Sequence, residues 1–75
     1  MIEEDILSSF GRAVQTLRSS KGWSQEKLAE LSGLDRTYIS SVERGKRNVS
    51  ILNICKLGKA LGTPPASLLN ELEGI

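Results

Sequence analysis

The chain has 75 residues, 25% of them charged and 4% aromatic, with a formal charge of +1. That length suits one small domain, 1–75, with a modest core. One cysteine and no histidine exclude an internal disulfide and a cysteine-pair metal centre, and leave no nucleophile–base pair for catalysis.

Ile6, Phe10, Ala13, Val14 and Leu17 recur at helical spacing and define the inner face of a first helix. Asp5 is its candidate cap. Glu3 and Glu4 favour its positive end, and Arg18 and Lys21 its negative end. Gly22 suits the stop. Gly11 lies inside this helix, where glycine costs about 1 kcal/mol relative to alanine. Its presence points to close packing against a neighbouring helix. Trp23 reads as a cover for the core edge, with a stacking platform for bases as the alternative.

Ser24 is the expected cap of a second helix, which carries Leu28, Ala29 and Leu31 inward. Gly33 lets the chain leave that helix at positive φ. Leu34 anchors the turn, and Asp35 caps a third helix running from about Arg36 to Arg44. Ile39 and Val42 are three apart and share its core face. Arg36, Thr37, Ser40 and Ser41 fall on other faces, free to contact something. Residues 24–44 thus read as a helix-turn-helix with an exposed second helix.

After the loop Gly45 to Val49, Ser50 caps a fourth helix. Its apolar stripe is Ile51, Ile54, Leu57 and Leu61, with Gly58 and Cys55 beside it. Cys55 reads as a small buried side chain, with a reactive thiol as the alternative. Gly62 ends this helix. Pro64 suits the first position of a fifth, which carries Leu68, Leu69 and Leu72, with Ile75 just beyond. No β-period interrupts the pattern, so an all-α, five-helix fold is expected.

Charge is unevenly placed. Residues 1–35 carry four basic and six acidic groups; residues 36–59 carry six basic and one acidic; residues 60–75 carry two acidic. The basic segment coincides with the third helix and the loop after it. Nucleic acid favours such a focused patch even when net charge is near zero. A merely solvated face is the alternative.

Gln25, Ala29, Gly33, Ile39, Glu43, Arg44 and Gly45 stand where the phage-repressor-like (Cro/C1, XRE-type) helix-turn-helix family has them. The run from Leu34 to Ser40, followed by Glu43-Arg44 and Arg47-Asn48, resembles most the controller proteins of restriction-modification systems. The similarity extends from Phe10 to about Leu69. It implies a compact lambda-repressor-like fold, a bacterial or phage origin, and dimerisation through the last helices. It also implies that Glu43 holds the scaffold.

Phosphate contacts position such a protein, and base contacts specify sequence. Arg36 is the first candidate for bases, because its planar fork matches the O6 and N7 acceptors of guanine. Thr37 suits a thymine methyl, while Ser40 and Ser41, one turn beyond, reach a base edge or a phosphate. Tyr38 has three options: a base contact, packing on Arg36 or its own helix, or a hydroxyl aimed at phosphate. For the backbone, the amides after Ser24 form an anion site that Gln25 joins. Arg44, Lys46, Arg47 and Asn48 grip the other side of the groove. For Arg44, pairing with Glu43 or capping its own helix is the alternative.

Leu68 is assigned to the core. Leu61, Pro64, Leu69, Leu72 and Ile75, in the region 61–75, are the expected homodimer interface. Two copies would read an inverted repeat in double-stranded DNA, with half-sites roughly 34 Å apart. Resemblance implies operators upstream of the chain's own gene and of a restriction endonuclease gene, with activation at low occupancy and repression at high. Activation needs contact with RNA polymerase, for which Glu26 and Glu30 are candidates. A phage-type or chromosomal repressor and an antitoxin-like interaction protein are the alternatives. No cofactor is expected. No apolar run approaches the roughly 18 residues of a membrane span, and the N-terminus lacks signal-peptide order, so a cytoplasmic location is expected.

Overall fold

A computed structural model describes residues 3–72. It contains five helices: α1 (Glu3–Ser20), α2 (Gln25–Ser32), α3 (Arg36–Glu43), α4 (Ile51–Leu61) and α5 (Pro65–Leu68). A 3-10 turn, Asn70–Leu72, follows, and the described residues include no strand. α1 packs on α3, α2 on both α3 and α4, and α4 on α5, while the final turn closes back on α1.

Local chemistry sets most boundaries. The Ser24 and Ser50 hydroxyls accept from the amides of Lys27 and Asn53, each at 3.1 Å, which satisfies donors that have no carbonyl behind them. Helix α1 already includes Glu3, so Asp5 lies inside its first turn and is not its cap. Helix α5 begins at Pro65, one residue later than expected, and Pro64 precedes it with ψ 141°. The second proline explains the shift: its ring drives the residue before it out of helical geometry.

The core consists of Phe10, Val14, Leu28, Ile39, Val42, Leu57, Leu61 and Leu68. Each such side chain contributes about 1.5–3 kcal/mol when fully buried. Trp23 is half-buried and packs against this cluster, the structural role expected for it.

Five expectations fail on the apolar pattern. Leu61 is 2% exposed and part of the core, so it cannot form a dimer surface. Leu31 is 46% exposed; it flanks a shallow groove toward Lys56, Lys59 and Ala60 instead of facing the core. Ile51 is 80% exposed at the first position of α4, and inward packing in that turn begins only with Ile54. Cys55 is exposed, since it sits about 100° around the helix from Ile54. The fifth helix is one turn long and ends before Leu69 and Leu72, which it was expected to carry, since the chain tightens into the 3-10 turn after Leu69.

Gly11 is where α1 and α3 meet backbone to backbone. A Cβ there would stand 2.8 Å from the Glu43 carbonyl oxygen and closer still to that of Val42. Carbonyls of a packed helix cannot swing aside as a side-chain tip can. Gly11→Ala is therefore expected to destabilise the protein by about 1–2 kcal/mol net, overpacking outweighing alanine's helix propensity. Urea unfolding checks this; an unchanged midpoint would mean that α1 and α3 separate easily.

Candidate nucleic-acid interface

The turn between α2 and α3 is built by three local devices. Gly33 takes the left-handed conformation, φ +75°, and its amide bonds the Ala29 carbonyl at 2.9 Å. The Leu34 amide donates to the Ser32 hydroxyl at 3.2 Å, and Leu34 packs against the core. The Asp35 carboxylate accepts from the Thr37 amide at 2.9 Å and starts α3. Ile39 and Val42 then point inward, fully buried. That fixes the opposite face of α3 toward solvent.

The exposed face carries the expected residues in graded fashion. Arg36 and Thr37 are exposed at the leading end, and Ser40 and Ser41 are half-buried further along. Tyr38 is half-buried. Its hydroxyl accepts from the Asn53 side-chain amide at 3.0 Å, and the Arg47 guanidinium lies 5.2 Å from its ring centroid. The Tyr38 ring packs against the core as well as beneath Arg47.

Behind α3, Lys46, Arg47 and Asn48 are exposed in the loop before α4. Arg44 is the residue that closes α3. Its Nε donates to the Ser40 carbonyl at 3.3 Å and its Nη2 to the Ser41 hydroxyl at 3.5 Å. Arg44 thus braces the end of its own helix, and among the described residues it forms no pair with Glu43.

Glu43 is occupied elsewhere. Its carboxylate is 2% exposed and takes Arg18 Nε at 2.6 Å. Arg18 Nη2 at 3.0 Å and Gln25 Nε2 at 3.1 Å complete the set. Arg18 also donates to the Trp23 carbonyl at 2.5 Å. The Glu43 hydrogen bond raises the Arg18 pKa, burial opposes it, and the opposite charge adds to the rise. One carboxylate therefore ties α1, α2 and α3 together. Reading Arg18 only as a complement to the α1 dipole missed this, because its partner lies 25 residues away.

A second unexpected pair involves Arg36, whose Nε stands 3.2 Å from the Glu26 carboxylate, both side chains exposed. Lys27 and Glu30 form a looser pair at 3.5 Å.

Of the expected dimer residues, Pro64 and Leu69 are exposed and Leu72 is half-buried. Leu61 is core, as stated above, and Ile75 lies outside the described residues. Ile51, which the apolar stripe places inward, and Leu52 beside it both add exposed apolar surface. No cluster of metal-ligating residues exists among the described residues. No helix there is long and apolar enough to cross a membrane.

The helix-turn-helix family matches residues 14–68. Control protein C.BamHI of Bacillus amyloliquefaciens is 56% identical over 62 residues, spanning 81% of this chain and 76% of its own. The crystal structure of the restriction-modification controller protein C.AhdI from Aeromonas hydrophila aligns with a TM-score of 0.81 at 56% identity. That alignment covers 83% of this chain and 94% of C.AhdI. The controller protein C.Esp1396I, solved as a tetramer with its natural 35-base-pair operator, aligns with a TM-score of 0.80 at 37% identity. It covers 89% of this chain and 88% of that one. A hypothetical transcription factor of Neisseria meningitidis is 45% identical over 67 residues, 89% of this chain, but this chain spans only 63% of its length.

Glu43→Ala tests the central contact. It removes a buried partner of Arg18 and Gln25, and breaking such a pair costs about 3–5 kcal/mol. Denaturant unfolding should show a loss of that order. A loss below about 1 kcal/mol, the scale of one neutral hydrogen bond, would mean that Glu43 does not hold the three helices.

Proposed function

The chain belongs to the helix-turn-helix family, and from that premise we propose that it is a sequence-specific transcription regulator of the restriction-modification controller type. The role is binding, without covalent chemistry. The observation that carries it is the polar leading end of α3, with Arg36 and Thr37 exposed over a helix clamped from behind by Glu43. A helix so held can enter a major groove without reorganising.

Arg36 reads guanine, and Thr37 a thymine methyl or a base edge. Ser40 extends the contact by one turn. Ser41, engaged by Arg44, contributes less. Tyr38, held by Asn53 as an acceptor, keeps its own O–H free to donate to a phosphate or base. Ser24 and Gln25 present the start of α2 to a backbone phosphate. Lys46, Arg47, Asn48 and Arg44 hold the strand on the other side. Two copies meet through an apolar patch that includes Pro64, Leu69 and Leu72, and together address an inverted repeat. C.Esp1396I occupies its operator as a tetramer, which supports assembly on DNA as the mode of action. Activation requires contact with RNA polymerase, and Glu26 and Glu30, 68% and 72% exposed at their side chains, are the candidate acids on α2.

Selection from a random duplex pool, with the stoichiometry of the bound complex, tests this reading. The expected winner is a short inverted repeat bound by an even number of copies. Absence of enrichment would overturn the proposal. With that operator in hand, Arg36→Ala should cost about 1–3 kcal/mol and relax preference at one position per half-site. Lys46→Ala should weaken all sequences alike and lower the salt slope by about 1. Lys46 is the cleaner choice than Arg47, whose loss would also free the Tyr38 ring.

A further inference from the structure

The geometry points to Glu26 as a specificity-determining residue that acts through Arg36, an inference resting on the base-reading role given to Arg36 above. Glu26 is the second residue of α2 and Arg36 the first of α3. The Gly33 turn brings them together, with Glu26 Oε2 3.2 Å from Arg36 Nε. The guanidinium has five N–H donors in a planar fork. A carboxylate on the Nε edge leaves terminal donors free, and these form the bidentate pair with guanine O6 and N7. Glu26 therefore steadies Arg36 without using the donors that read a base.

Charge gives the pair a second effect. Phosphates carry no sequence information, yet an isolated arginine beside a helix N-terminus is drawn to them. A carboxylate against that arginine cancels much of its attraction for an anion. Hydrogen bonding to the neutral edge of guanine is far less affected. Among the described residues Arg36 is the one ion-pair partner of Glu26, and neighbouring Lys27 pairs with Glu30. The Asp35 carboxylate serves the Thr37 amide. Both side chains of the Glu26–Arg36 pair are more than half exposed, so the pair biases Arg36 without locking it.

The test uses the full chain and four proteins: wild type, Glu26→Gln, Arg36→Ala and the double variant. Each is titrated with the selected operator, with the same operator altered at the guanine, and with a random-sequence duplex, over a range of salt. Glu26→Gln keeps shape and removes charge. It should bind the random duplex about threefold to tenfold more tightly, steepen the salt slope by about 1, and lower the operator-to-random ratio correspondingly. In the Arg36→Ala background the same change should leave the ratio unmoved, which a double-mutant cycle reads directly. Thermal stability should stay unchanged. An unaltered ratio in Glu26→Gln, or an equal change with and without Arg36, overturns the inference while the base-reading role stands. Unchanged guanine preference in Arg36→Ala overturns that role, and this inference with it.

Discussion

A carboxylate taken out of water costs several kcal/mol unless donors replace the lost hydration. Glu43 is such a carboxylate, and the placement of α3 depends on its solution. Two nitrogens of Arg18 and one of Gln25 surround it, so helices one and two must both approach the end of helix three. Arg18 also holds the Trp23 carbonyl, which fixes the link between α1 and α2. Among the described residues no buried side-chain polar atom lacks a partner. A core of eight apolar side chains supplies cohesion without direction; the charged cluster selects one mutual arrangement of three helices.

The ends of the second, third and fourth helices were legible because they are set locally. Ser24, Asp35 and Ser50 cap as their types and positions suggest, and Gly33 turns the chain at positive φ. Periodicity gave the direction of each apolar stripe but not what lies over its ends. Ile51 and Leu31 continue their stripes in sequence, yet both are exposed, Leu31 beside a groove against α4. Leu61 follows its stripe into the core, so the second reading of it, as dimer surface, is the one that fails.

The candidate site divides in the same way. Arg36, Thr37 and the basic loop could be placed from sequence because exposure follows from the helical phase set by Ile39 and Val42. Their partners could not. Glu26, Asn53 and Arg18 meet Arg36, Tyr38 and Glu43 across 10, 15 and 25 residues of chain, and only tertiary packing brings them close. No local signal marks such pairs. The polar residues of α3 thus have two kinds of neighbour: those dictated by the helix itself, and those supplied by the elements it leans on.

The bare contact at Gly11 has a consequence for how this scaffold can change. Helix three rests there on main-chain atoms of helix one, and main-chain atoms do not vary with sequence. Arg36, Thr37 and Ser40 take no part in that seat. Under the base-reading role proposed for them, these outward residues can be exchanged, and new operators acquired, while the angle of presentation is inherited intact. The glycine separates what is read from how the reader is aimed.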